Sequence, residues 1–133
     1  MIFPVFGMVI LAVTLGIFLV VARVRSVTSG AVKIKYYRAM KGQDAPETIE
    51  KLSRAFSNQF EIPVLFYTAS ILFISLRIQS DVALVLSWIF FFSRVCHAII
   101  HVTYNNVVHR MMVFLAGVVA IVALWLTLMM AMV

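Results

Sequence analysis

Charged residues are scarce in this sequence of 133 residues, and the scarcity excludes most kinds of soluble protein. Only 12% of the residues are charged and 64% are apolar, whereas an ordinary soluble domain carries about 25% charged residues and about half apolar ones. The mean hydropathy of +1.08 leaves too few polar side chains to cover a surface in water. Intrinsic disorder is excluded as well, because it requires low hydrophobicity and high charge.

Cysteine and acidic residues are also few. The single cysteine cannot form an internal disulfide, so a disulfide-stapled secreted fold is excluded. Five acidic residues stand against 11 basic ones, a net charge of +6. Eight of the basic residues lie in one segment between two apolar runs: Arg23, Arg25, Lys33, Lys35, Arg38, Lys41, Lys51 and Arg54. The positive-inside rule favours a cytoplasmic position for this segment, beside anionic lipid headgroups rather than nucleic acid.

Four apolar stretches approach or exceed the roughly 20 helical residues that cross a bilayer core of about 30 Å. The first stretch (residues 2–22) and the last (residues 111–133) contain no charged residue, the second (residues 55–76) contains only Glu61 and the third (residues 82–109) only Arg94. We therefore predict an all-α integral membrane protein, a four-transmembrane-helix bundle that forms a single domain over residues 1–133. The predicted spans are residues 2–23, 45–77, 82–104 and 110–132, with a cytoplasmic loop over residues 24–44.

The residues that flank the first span predict whether it is cleaved off and how the chain is oriented in the membrane. Arg23 and Arg25 follow the apolar run, which is the reverse of the order in a cleaved signal peptide. We therefore expect this span in the mature protein. With residues 24–44 in the cytoplasm, both termini lie on the non-cytoplasmic side. The short chain without a retention signal indicates a bacterial inner membrane.

A helix start is predicted just before the second span. Residues 44–47 carry the acidic and proline pattern of a helix N-terminus. Two opposite-charge pairs then follow at a spacing of four residues, Glu47 with Lys51 and Glu50 with Arg54. Such pairs face each other on a helix, so the helix is expected to begin in the cytosol.

The second helix is expected to continue from this start into the membrane without a break. Pro63 should bend it, since a proline removes the hydrogen bond to the carbonyl of Gln59. In the preceding loop, residues 33–41 are expected to form a short basic amphipathic segment at the membrane surface.

Ionisable residues inside membrane spans are costly, so each one indicates function. On the second helix, Arg54, Asn58 and Glu61 lie at i, i+4 and i+7, which is one face. On the third helix one face carries four polar residues at i, i+3, i+7 and i+10: Arg94, His97, His101 and Tyr104. The two spacings predict two polar stripes that face the interior.

The two stripes lie at matching depths. With a rise of about 1.5 Å per residue, Glu61 lies about 10 Å inside Arg54, and Arg94 lies about 15 Å inside Tyr104. Arg23 closes the first helix at the same face, and Arg110 opens the fourth. Because arginines outnumber carboxylates in this layer, it predicts a cytosol-facing pocket for an acidic small molecule. Arginine grips carboxylates with two hydrogen bonds and favours the thiolate form of a nearby thiol.

These motifs resemble one known family. Residues 54–63, Arg-Ala-Phe-Ser-Asn-Gln-Phe-Glu-Ile-Pro, resemble the Arg-Ala-His-x-Asn-x-x-Glu-x-x-Pro signature of the MAPEG family, the membrane-associated proteins in eicosanoid and glutathione metabolism. Its members include microsomal glutathione transferases and prostaglandin E synthase. Arg94-x-x-His97 followed by Arg110 is similar to the third-helix and fourth-helix pattern of the prostaglandin synthase branch. The resemblance extends over essentially the whole chain.

The resemblance implies a function and a set of site residues. It implies a membrane homotrimer that binds glutathione between subunits near the cytosolic face. The reaction implied is that of a glutathione-dependent transferase or peroxidase acting on lipophilic electrophiles or lipid hydroperoxides. Arg110 matches the catalytic arginine that stabilises the glutathione thiolate. Seven residues match or resemble glutathione contacts: Arg23, Arg54, Asn58, Glu61, Arg94, His97 and His101.

Four residues depart from the family pattern. Phe56 replaces the histidine of the signature, and Ser57 stands where several members have a second glutathione-binding arginine. Met111 and Phe114 replace hydroxyl-bearing residues that follow the thiolate arginine in some members. These departures keep a second hypothesis open, a non-catalytic membrane protein that binds a lipid or a partner, as five-lipoxygenase-activating protein does.

Purely structural interpretations of the same residues also stay open. Glu61 and Arg94 can neutralise each other as a buried ion pair, and Arg54 can serve only as the partner of Glu50. Arg23, like the arginine at the start of the fourth helix, can be an anchor at the membrane interface. Asn58 can simply hydrogen-bond between helices.

Metal binding, chemistry at Cys96 and transport are weaker hypotheses than the two given above. His97 and His101 could ligate a metal together with Glu61, but the surrounding arginines would repel a cation, so no metal is predicted. Cys96 is expected to be a small buried apolar residue. A small multidrug exporter is disfavoured because the first span carries no glutamate.

Overall fold

The computed structural model describes residues 1–40, 42 and 44–133. In that part of the chain the α-helices are, in order, α1 (Ile2–Thr28), α2 (Tyr36–Ala39), α3 (Glu47–Ser57), α4 (Ile62–Ser75), α5 (Asp81–Val102) and α6 (Val107–Met132). The all-helical architecture agrees with the predicted fold class. The predicted loop over residues 24–44 and the surface segment over residues 33–41 include Lys41, and the loop includes Gln43; both residues lie outside the described part.

Three helices are long and apolar enough to cross a membrane, namely α1, α5 and α6. They correspond to the first, third and fourth predicted spans. Their outer faces expose large apolar side chains such as Ile17 and Val119, the surface that a lipid environment requires. The count of four spans stays a prediction, since the second predicted span is not formed by one helix.

The expectation of an unbroken second helix is wrong. A short 3₁₀ turn, Asn58–Phe60, separates α3 from α4, and Glu61 has non-helical backbone angles (φ −102°, ψ −106°). Proline lacks a backbone N–H and its ring clashes with the carbonyl four residues earlier, so Pro63 ends up in the first turn of α4, where a proline is tolerated. The predicted bend is therefore a complete break in the helix.

The start of α3 agrees with its predicted position and with its predicted ion pairs. Pro46 directly precedes the first helical residue, and no described side chain caps that end. Lys51 Nζ lies 2.8 Å from Glu47 Oε1, and Arg54 Nη2 lies 3.9 Å from Glu50 Oε2. The hydrogen bond and charge of Lys51 lower the pKa of the Glu47 carboxyl.

The main core lies away from the basic segment, and we call it the apolar half. It consists of buried residues from α1, α4, α5 and α6: Met8, Phe66, Ala69, Phe73, Ala83, Phe90, Ala120, Ile121, Leu124 and Leu128. Phe66 stacks on Phe90 with ring centroids 4.7 Å apart. Gly117 allows α5 and α6 to approach closely, since a Cβ there would lie 2.6 Å from Ser93 Oγ.

Candidate functional site

A cleft of about 410 Å³ lies between α3, α5 and α6. It lies at the end of the bundle that carries residues 23–54, which we call the basic end. Its volume is within the range of about 300–1,000 Å³ that is typical of ligand pockets. Nine residues line it: Ser53, Arg54, Ser57, Asn58, Glu61, His97, His101, Arg110 and Phe114. Six of the eight predicted site residues are therefore on its walls.

One wall of the cleft comes from α3 and the break that follows it. Its residues, Ser53, Arg54, Ser57, Asn58 and Glu61, recur at the three- to four-residue spacing of one helix face. The Arg54 side chain is 73% exposed, and Glu61 is exposed too. This wall is therefore open on one side, and its charged groups are accessible to a ligand or to another subunit.

The opposite wall combines two histidines of α5 with residues of α6. The rings of His97 and His101 are buried and lie 5.9 Å apart between centroids. Arg110 Nη1 lies 3.2 Å from His101 Nε2. Because a guanidinium can only donate, this nitrogen accepts, and the His101 ring is neutral with its proton on Nδ1. Arg110 Nη1 also donates to Asn105 Oδ1 at 2.7 Å.

Arg94 lies behind the cleft rather than on its wall. It is 2% exposed, and its Nη2 donates to the backbone carbonyl of Asn58 at 2.9 Å. In a continuous helix that carbonyl would accept the N–H of residue 62, so Arg94 satisfies the acceptor that the helix break releases. The described residues show no direct ion pair between Arg94 and Glu61, so the ion-pair interpretation is wrong.

Arg23 also lies behind the wall, on α1. Its Nη2 donates to Ser53 Oγ at 3.3 Å, and its Cζ lies 5.5 Å from the ring centroid of Tyr37. The Tyr37 hydroxyl is in turn 2.8 Å from Ser26 Oγ. Among the described residues, Arg23 therefore reaches the cleft through Ser53, and it helps to hold the segment after α1 against the helices.

The charges in and behind the cleft favour an anion. Arg54 and Arg110 line the cleft, and Glu61 is the one carboxylate on its walls. Arg23 and Arg94 lie behind the walls, and each donates a hydrogen bond to a lining residue. Within the described residues, no three His, Cys, Asp or Glu side chains are grouped so that they could hold a metal ion. The arrangement suits a small acidic molecule that also carries an ammonium group for Glu61.

The comparison with family models matches residues 1–130 to the MAPEG family. The chain belongs to the MAPEG family. A search of curated proteins and a search of solved structures each found no match. MAPEG proteins generally use glutathione. Together with the three apolar helices, membership makes the chain a multi-pass membrane protein.

The structure sorts the departures from the MAPEG signature by their position. Ser57 and Phe114 line the cleft, so they change its chemistry directly. Phe56 points to the other side of α3, where a Cβ on Gly16 would lie 3.1 Å from its ring. Met111 is exposed and is not among the lining residues. Replacement of the signature histidine by Phe56 therefore removes no side chain from this cleft.

An apolar groove of about 770 Å³ runs along α1 on the far side of α3, and we call it the α1 groove. Its lining residues come from one face of α1 and from three aromatic side chains of the second predicted span: Val9, Ala12, Val13, Gly16, Ile17, Val20, Val21, Phe56, Phe60 and Tyr67. The groove and the cleft thus lie on opposite sides of α3.

Sequence reasoning missed several residues of the site. Ser53 lies one turn before Ser57 on the cleft face of α3, and the helical periodicity used for Arg54 could have found it. Asn105 contacts Arg110, but no spacing singled it out. Cys96 is exposed on α5, contrary to the expectation of burial, because the stripe of Arg94 and the histidines faces the interior instead.

Proposed function

We propose that this MAPEG protein is a membrane-bound glutathione-dependent transferase or peroxidase that acts on lipophilic electrophiles or lipid hydroperoxides. The supporting observation is the cleft itself, which joins five polar side chains from the two sequence stripes with Arg110 at the start of α6. Glutathione carries two carboxylates, one ammonium group and a thiol. The guanidinium group of Arg54 complements a carboxylate, that of Arg110 complements the thiolate, and Glu61 complements the ammonium.

Arg110 is the proposed catalytic residue, and its part is electrostatic. Its guanidinium stands beside the thiol and favours the thiolate, because a nearby positive charge lowers a thiol pKa. Glutathione is the thiol substrate: its sulfur bonds to the electrophile, the leaving group departs with the electron pair, and the thiol proton goes to water. With a hydroperoxide, two glutathione molecules are oxidised to the disulfide while the hydroperoxide is reduced to an alcohol and water.

The proposal includes a homotrimer that holds glutathione between subunits. The supporting observation is the open side of the cleft, where Arg54 and Glu61 are exposed. Exposed charges at membrane depth are costly in lipid, and a neighbouring subunit would cover them. The Lys and Arg content of the basic end favours a cytoplasmic orientation, and a bacterial inner membrane stays our prediction. A native mass spectrum of the detergent-purified protein tests the trimer.

Glutathione binding to the purified protein, measured by calorimetry, tests the function. We expect saturable binding that Arg54→Ala abolishes and that Arg38→Ala, an exposed basic residue outside the cleft, leaves intact. Arg110→Ala should retain binding but lose at least about 100-fold in conjugation rate, the usual cost of removing a transition-state charge donor. Absence of binding at millimolar glutathione would contradict the proposal.

A second candidate function is non-catalytic lipid binding, and the α1 groove favours it. The groove is long and apolar, which suits an acyl chain. Mass spectrometry of the purified protein would then find a bound lipid, and Val13→Trp should reduce its occupancy by filling the groove. Turnover with several electrophiles would argue against this as the sole function.

A further inference from the structure

We propose that Asn105 is a positioning residue that fixes the Arg110 guanidinium on the cleft wall without neutralising its charge. The inference rests on the proposed function, because it assigns Asn105 a part in stabilising the glutathione thiolate. Asn105 lies in the turn between α5 and α6 and is not among the residues that line the cleft.

The contact is short and direct. Arg110 Nη1 donates to Asn105 Oδ1 at 2.7 Å and lies 3.2 Å from His101 Nε2. A guanidinium has five N–H donors in a planar fork, and two neutral acceptors meeting one nitrogen restrict how that fork can rotate. Asn105 and Arg110 are both partly buried, so water competes less for this hydrogen bond than it does at an exposed site.

The chemical identity of the acceptor matters for the charge. Both partners of the Arg110 side chain, Asn105 and His101, are neutral, and no ion pair joins Arg110 to a carboxylate among the described residues. The full positive charge of the guanidinium is therefore available to an anion in the cleft. An aspartate at this position would orient the guanidinium equally well, but it would cancel the charge that the thiolate needs.

The backbone explains why asparagine is suited to this position. Asn105 has a positive φ of 49°, and its N–H donates to the carbonyl of Ile100 at 2.8 Å, which closes the last turn of α5. Glycine and asparagine adopt this left-handed conformation most readily. Glycine would end the helix equally well, but it has no side chain. Asparagine both ends the helix and accepts the hydrogen bond from Arg110.

The test compares Asn105→Gly with wild type in the detergent-purified protein. Glycine keeps the positive φ and removes only the carboxamide. We expect the pH midpoint of thiolate formation by bound glutathione, followed by ultraviolet absorbance, to move upward. We also expect kcat/KM for conjugation to fall about tenfold, as expected when a catalytic group is misplaced. Asn105→Asp should keep the melting temperature and also raise the midpoint.

Asn106→Gly is the matched control. The Asn106 side chain caps α6 by accepting the N–H of His109 at 3.1 Å, so its loss weakens the same turn without removing the acceptor of Arg110. We expect a lower melting temperature and an unchanged thiolate midpoint. A midpoint that moves equally in both glycine variants would overturn the proposal, because it would trace the effect to the turn as a whole.

The outcomes separate this inference from the proposed function. If wild type forms a bound thiolate and Asn105→Gly titrates identically, the function stands and the positioning role is wrong. If wild type binds no glutathione, the function is wrong, and a double-mutant cycle in thermal unfolding still tests the contact. In that cycle, Asn105→Gly combined with Arg110→Leu should lower the melting temperature by less than the sum of the single changes; strict additivity would overturn the contact.

Discussion

In the apolar half of the bundle the largest side chains are fully enclosed, whereas at the basic end buried nitrogen atoms lack protein partners. Phe66 and Phe90 are 0% exposed and stack on each other. By contrast, six buried side-chain atoms have no partner among the described residues, and four of them are nitrogens at the basic end: Arg23 Nε, Arg94 Nε, His97 Nδ1 and His101 Nδ1; the other two are Gln59 Oε1 and Ser70 Oγ. Unpaired buried polar atoms are costly and rare. The comparison indicates that the apolar half provides stability, whereas most of the unpaired hydrogen-bonding groups lie at the basic end.

The largest effect on stability is expected in the apolar half. Phe90→Ala should lower the free energy of unfolding by about 3 kcal/mol, because it opens a cavity against Phe66. Glutathione affinity, measured by calorimetry well below the melting temperature, should remain unchanged. Phe92→Ala is the control, since Phe92 is exposed, and it should change stability by less than about 0.5 kcal/mol. A loss of glutathione affinity in Phe90→Ala would contradict the claim that the apolar half affects stability alone.

A smaller effect on stability is expected where Arg94 supports the cleft from behind. Arg94→Leu leaves the Asn58 carbonyl without its donor, which should cost about 2 kcal/mol and also weaken glutathione binding. Arg54→Leu should weaken binding with little change in stability, because Arg54 is on the wall and largely exposed. Denaturation curves and calorimetry on both variants check this. Equal stability of the two variants would show that Arg94 does not support the broken helix.

Adjacent residues on opposite sides of α3 should respond differently to restoration of the family pattern. Ser57→Arg adds a donor to the cleft wall and should raise glutathione affinity about tenfold, the gain from one charge-assisted hydrogen bond. Phe56→His should leave the affinity unchanged, because its side chain contacts the α1 groove. Calorimetric titration of both variants measures their affinities for glutathione. A gain in affinity in Phe56→His would show that residue 56 contacts the cleft instead of the α1 groove.

The smallest effect is expected at the exposed start of α3. Lys51 lowers the pKa of Glu47, so the pair stabilises the fold above the ordinary pKa of a glutamate and loses this effect as the pH falls through the lowered value. Glu47→Gln should therefore be slightly less stable than wild type at neutral pH and equally stable in acid. Melting curves over this range measure the difference. A deficit that persists in acid would show that the pair is not its cause.

Much of the site was predictable because helical periodicity is a local property. The spacing of Arg54, Asn58 and Glu61 predicted one wall, and they line it together although the helix ends at Ser57. His97 and His101 share one face of α5. Their convergence followed from the matching depths of the two stripes. The bend at Pro63 was also predictable, since it arises from the missing N–H. Its conversion into a full break was not, because that depends on a donor from α5, Arg94, reaching the freed carbonyl.

Composition and periodicity by themselves determined the membrane class, the helical fold and most of the residues on the cleft walls, and the motif of residues 54–63 carried the family resemblance. Tertiary structure decided which of those residues line the cleft and which lie behind its walls. Arg94 and Arg23 have the same chemistry as Arg54, yet burial turns them into supports. The hydrogen bond between Arg110 and Asn105 was equally unpredictable from the sequence. A hydrogen bond between elements depends on where two helices end in space, and no spacing along one helix contains that information.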